Sequence, residues 1–107
     1  MSTYSKLLWQ GTGGGVQETV YTTPALNTAV VRDVEVLNGT SSSLSFHLVV
    51  HGAPGFVDST FALNSTIAAG AGWQWQGRVV VPAGASIQMP AFGSSVFVHI
   101  SGYELGA

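Results

Sequence analysis

Apolar residues in this chain alternate with polar ones in short runs, and clusters of Gly, Pro, Asn and Ser interrupt those runs about every ten residues. A side-chain period of two marks a strand with one buried face, and breaks at this spacing belong to sandwiches and small barrels. No segment carries a helical period. The clearest strand runs from Leu44 to His51, with Leu44, Phe46, Leu48 and Val50 on the face expected to meet the core.

Before it, Thr28 to Leu37 reads as a strand with Val30, Val34 and Val36 on one side and Asp33 and Glu35 on the other. The intervening Asn38 to Ser43 is expected to fold these two strands into an antiparallel hairpin, because Asn-Gly supplies the positive φ angles of hairpin turns. Trp73 to Val81 places Trp73, Trp75, Val79 and Val81 on one face, opposite Gln74, Gln76 and Arg78. Ser86 to Met89 and Val96 to Leu105 follow, the latter with Val96, Val98 and Ile100 facing away from Phe97, His99 and Tyr103. Adding Tyr4 to Gln10, Val16 to Thr22 and a weaker Phe56 to Leu63 gives about eight strands. The expected fold is therefore all-β: a single antiparallel β-sandwich, jelly-roll-like, filling residues 1–107 as one domain.

Composition narrows the function. Charged residues make up only 7% of the chain, against roughly 25% in ordinary soluble domains. Little repulsion then keeps copies apart, which favours close packing among them. Lys6, Arg32 and Arg78 are the only basic residues besides histidine, too few for the phosphate-neutralising stripe that nucleic-acid binding needs. Without cysteine there is no disulfide, no thiolate nucleophile and no usual structural zinc site. The N-terminus lacks the apolar region of a signal peptide, and no apolar run approaches the ~20 residues of a membrane helix. Neither nucleic acid nor membrane is an expected partner.

Candidate chemistry is thin. Gly11 to Gly15 lacks the Lys-Ser/Thr and the helix of a phosphate loop, and reads as a flexible turn. His47 and His51, four apart on a strand, are separated by about 13 Å and cannot share one metal; His99 is able to approach either only across a sheet. Asp33 and Glu35 share a strand face at about 7 Å, more in the manner of a solvated or interface pair than a glycosidase dyad. A Ser-His-Asp triad lacks the Gly-x-Ser-x-Gly elbow. No catalytic residue, cofactor or metal ligand is assigned, and the chain is not expected to be an enzyme. The binding candidates are Trp73 and Trp75, either packed in core or interface or presented as a platform for sugar rings, with Gln74, Gln76 and Arg78 on the exposed or partner-facing side. Asn38-Gly39-Thr40 and Asn64-Ser65-Thr66 match the glycosylation pattern but read more simply as turns. Thr22-Thr23-Pro24-Ala25 and Val80-Val81-Pro82-Ala83 form a weak internal echo.

The order of elements is Lys6-Leu7-Leu8-Trp9-Gln10-Gly11, then Thr19-Val20-Tyr21-Thr22-Thr23-Pro24-Ala25, then the valine strand ending at Asn38-Gly39. With Val81-Pro82-Ala83-Gly84-Ala85-Ser86-Ile87 and the closing Val98-His99-Ile100-Ser101-Gly102-Tyr103-Glu104, it resembles small all-β virion proteins of tailed bacteriophages. The resemblance implies a non-catalytic structural component, either a capsid decoration protein or a minor tail protein, and it transfers no catalytic residues. The chain's expected partners are other copies of itself, as a trimer or higher ring, and phage capsid or tail proteins. Its implied location is the virion, after synthesis in the host cytoplasm. A carbohydrate-binding adhesin using Trp73 and Trp75 is the alternative.

Overall fold

A computed structural model describes residues 6–52 and 58–106. These residues form eight strands: β1 (Lys6–Thr12), β2 (Glu18–Thr22), β3 (Asn27–Asn38), β4 (Leu44–His51), β5 (Ser59–Ile67), β6 (Gly72–Val81), β7 (Ser86–Met89) and β8 (Val96–Gly106). No helix occurs among the described residues. The strands form two antiparallel four-stranded sheets, a front sheet in the order β1-β8-β3-β6 and a back sheet in the order β2-β7-β4-β5. Tyr4 and Phe56, the expected starts of two strands, lie outside the described residues.

Every connection except β4 to β5 carries the chain from one sheet to the other. This corrects the expected hairpin: β3 and β4 do not pair, and the Asn38–Ser43 segment is a crossing between sheets. Asn38 and Gly39 lie outside the residues of positive φ. Asn38 is instead buried, and a Cβ on Gly39 would stand 2.5 Å from the carbonyl oxygen of Ser95. Glycine is required there by close approach of a neighbouring loop rather than by a turn angle.

Alternation delivers the core. Phe46, Leu48 and Val50 from β4 meet Val96, Val98 and Ile100 from β8, with Ile87 and Met89 from β7. The β3 strand departs from simple alternation, since Ala29 and Val31 point to the core and then Val34 and Val36 do. Val30, expected to share a side with Val34 and Val36, is buried on the outer side between its cross-strand partners Val80 and Tyr103.

The cause lies in the ladder. Between two rows of paired residues, Gly102–Val31–Val79 and Ile100–Val34–Trp75, β8 inserts Ser101 alone, β3 inserts Arg32 and Asp33, and β6 inserts Gln76, Gly77 and Arg78. The front sheet fans open toward β6. Such extra residues bend a strand and increase its twist, and they recur on the other edge strands: Leu8 on β1, Val20 on β2, and two register shifts on β5.

A buried polar side chain helps to close each end of the molecule, Asn38 at one and Thr23 at the other. At the first, the Asn38 amide nitrogen donates to the carbonyls of Ser42, Ile67 and Ala68 at 2.9, 3.0 and 3.2 Å. Its oxygen accepts from the Thr40 backbone N–H and hydroxyl at 3.1 and 2.6 Å. Neighbouring loops are tied by Gly13 N–H to Val96, Gly93 N–H to Gly14 and Gly39 N–H to Ser95. The glycine-rich segment is therefore not the free turn expected: Gly11 and Thr12 belong to β1, and Gly13 and Gly14 are held.

At the other end, Thr23 donates its hydroxyl to Val81 and its N–H to Ala85, and accepts from the Gly84 N–H. The two Pro-Ala corners of the sequence meet here with the same turn. Asn27 N–H returns to Pro24 and Ala85 N–H returns to Pro82, with positive φ at the third residue, Leu26 (70°) and Gly84 (79°). This is type II geometry, which suits glycine and strains leucine.

Candidate binding groove on the front sheet

An open groove of about 850 Å³ crosses the outer face of the front sheet and draws on all four of its strands. Two adjacent cross-strand rows build it. The first is polar and reads Gln10, His99, Glu35, Gln74 from β1 to β6; the second reads Thr12, Phe97, Leu37, Gly72. Strands spaced at about 4.8 Å bring these side chains into register although they are scattered through the sequence.

The apolar row is open to solvent at Phe97 (49% exposed) and Leu37 (46%). Both face outward because they alternate with Val98 and Val36, which enter the core. The Phe97 ring edge lies in the direction of Gly39, where a Cβ would be 3.7 Å from it. In the next row Asp33 Oδ2 accepts from the side-chain amides of Gln74 (2.8 Å) and Gln76 (3.5 Å). A carboxylate needs donors, so the Gln74 NH₂ turns to Asp33 and its carbonyl oxygen is left as the acceptor beside the groove. Asp33 Oδ1 is buried and has no hydrogen-bond partner among the described residues.

The tryptophans face the other way. Trp73 and Trp75 are half-buried against the core, Trp73 tilted on Phe46 at 6.1 Å and Trp75 edge-on to Phe61 at 5.7 Å between ring centroids. Gln74, Gln76 and Arg78 are exposed on the outer face. A local device holds the indole of Trp75: a Cβ on Gly77 would sit 2.6 Å from its ring, so the ring lies over the glycine two residues on. The same arrangement occurs at Trp9 and Gly11, where the distance is 2.8 Å. Trp9-Gln10-Gly11 and Trp75-Gln76-Gly77 thus repeat one motif on the two edge strands of the front sheet, and in each the glutamine projects outward. That repeat was the available sequence signal for Gln10.

The other candidates are dispersed. His47 and His51 belong to the back sheet and His99 to the front, which removes the approach of His99 across a sheet. His51 pairs with Asp58 at 3.0 Å, while His47 meets the Phe92 ring edge-on. Among the described residues no three His, Asp or Glu side chains gather around a possible metal position. Asn38 is fully buried with its amide engaged, so it is no glycan acceptor in the folded chain.

A separate polar cluster joins the sheets at the β1/β2 side, where Glu104 of β8 accepts from Lys6 (2.8 Å) and from the Tyr21 hydroxyl. The Lys6 hydrogen bond, then that of Tyr21, holds the Glu104 carboxyl below its usual range. Burial, then the Glu104 hydrogen bond, raises the Tyr21 phenol.

Comparison with protein-family models, with curated proteins and with solved structures finds no match for this chain.

Proposed function

We propose that this chain is a non-catalytic structural protein of a tailed-bacteriophage virion, a jelly-roll module that self-associates as a trimer and decorates the capsid exterior. The observation that supports it best is the strand order. The antiparallel pairs β1–β8, β2–β7, β3–β6 and β4–β5 are those of one long eight-stranded hairpin rolled upon itself. That pairing supports the jelly-roll reading, an architecture used by viral capsid domains and by lectins. The resemblance of the sequence to small all-β virion proteins points the same way, and function here rests on that likeness and on fold-level analogy.

The surface suits assembly. Val16 (72% exposed), Leu26 (79%) and Leu63 (68%) project from a loop, a corner and an edge strand, and buried apolar area adds binding energy when many copies repeat a contact. The test is the composition of purified virions. Copy numbers in the hundreds per particle are expected for a decoration protein; a handful would reassign the chain to the tail, and absence from the particle would end the virion reading.

A further inference from the structure

We propose that the front-sheet groove is a binding site for an uncharged glycan. A pyranose ring has one face of C–H groups and a rim of hydroxyls, and the groove presents the complement of both. Phe97 and Leu37 offer an apolar strip, and alongside it runs the polar row of Gln10, His99, Glu35 and Gln74. Both surfaces follow the same direction across the strands, so a chain of sugars lying along the groove meets them together. The volume of about 850 Å³ falls within the range of small-ligand sites.

Most of the polar row is unspent. The Gln74 amide is oriented by Asp33, and Gln10, Glu35 and His99 make no side-chain hydrogen bond within the described residues. Elsewhere polar groups satisfy one another, as Gln17 does with Gln88 at 2.6 Å and His51 with Asp58. Carboxylate and amide oxygens are the acceptors that hydroxyl donors require. Charge sets the class of sugar: among the described residues the lining carries one carboxylate, Glu35, and no lysine or arginine, so an acidic sugar meets repulsion without a compensating lysine or arginine.

Backbone ladders pair the central strands β8 and β3 on both sides, so a peptide strand has only the outer edges of β1 and β6 to add to, and register breaks interrupt both. Trp73 is part of the groove lining, but its ring packs on Phe46 and that of Trp75 on Phe61, so neither indole is the apolar strip of this site.

The experiment is a titration of isotope-labelled protein, followed by NMR, with maltohexaose, cellohexaose, mannotetraose and tetra-N-acetylchitotetraose, and with sialyllactose as the acidic counterpart. At least one neutral probe is expected to shift the resonances of Phe97, His99, Glu35 and Gln74 saturably. Phe97→Ala should weaken that binding at least about tenfold, and Glu35→Gln, which keeps the shape, several-fold, while Leu63→Ala on the back sheet leaves it unchanged. The proposal is overturned if no neutral probe moves the groove at about 10 mM. Sialyllactose binding as well as the neutral sugars overturns it too, as do groove shifts that follow protein concentration alone, which would identify a second copy as the occupant.

Discussion

The two ends of the molecule are closed by the same principle with different chemistry. At the groove end, a carboxamide with two donors and an acceptor reaches both the β3–β4 and the β5–β6 connections, so Asn38 binds segments of both sheets at once. At the corner end, Thr23 has one hydroxyl to give and binds a single neighbouring corner. The rest of the closure there comes from turns and from the Lys6–Glu104–Tyr21 cluster. The difference matters for the groove, because Thr12, Leu37, Gly72 and Phe97 are all strand-end residues beside Asn38. The end that shapes the groove is the end with the denser network.

Asn38→Ala is the strongest test of that asymmetry. It strands buried carbonyls of two loops and is expected to cost about 3–5 kcal/mol in urea unfolding, whereas Thr23→Val, which removes one donor and keeps the shape, costs about 1 kcal/mol. Equal losses would break the comparison.

Acid provides a second test, because the Asn38 network contains no titratable group. Glu104 has a folded pKa below the usual 4.5. Its contribution is present in full above that value and disappears as pH falls through the folded one. Hydrogen exchange on acidification should show protection falling around Lys6 and Tyr21 before the amides of Gly39 and Gly70 respond. Glu104→Gln should remove about 1 kcal/mol at neutral pH and flatten the acid response.

The smallest effect is a gain. Leu26→Gly places in one corner the residue type found at the matching position of the other, relieving a left-handed leucine at little cost in packing, since Leu26 is largely exposed. A rise of about 0.5 kcal/mol is expected, and a loss would mean that the leucine side chain itself holds the corner.

Strand positions were legible because burial on one face writes itself as alternation, and Leu44 to His51 and Ser86 to Met89 are observed with the expected limits. Strand partners were not. A Gly-Ser-rich connection has the same composition whether it turns back beside its own strand or crosses to another sheet, and β3 to β4 does the latter. Bulges were also invisible, since Arg32 looks like any outward residue until its neighbours Val31 and Val34 are both found inside. The groove was hidden for a third reason: Gln10, Glu35, Gln74 and His99 become neighbours only through the register of four strands. The exposed glutamines beside the tryptophans were legible, but which aromatic remains available to a ligand depends on the face, and that aromatic is Phe97.

The interrupted outer strands have a consequence for life at high local concentration. A chain with so few charges has little repulsion to stop one sheet from continuing into the next molecule, and a straight exposed edge is a template for fibrous growth. Here β1, β2, β5 and β6, the outermost strands of both sheets, all break register. Geometry takes over the guarding role that lysines fill elsewhere. Zipping into filaments edge to edge is thereby disfavoured even in a crowded solution.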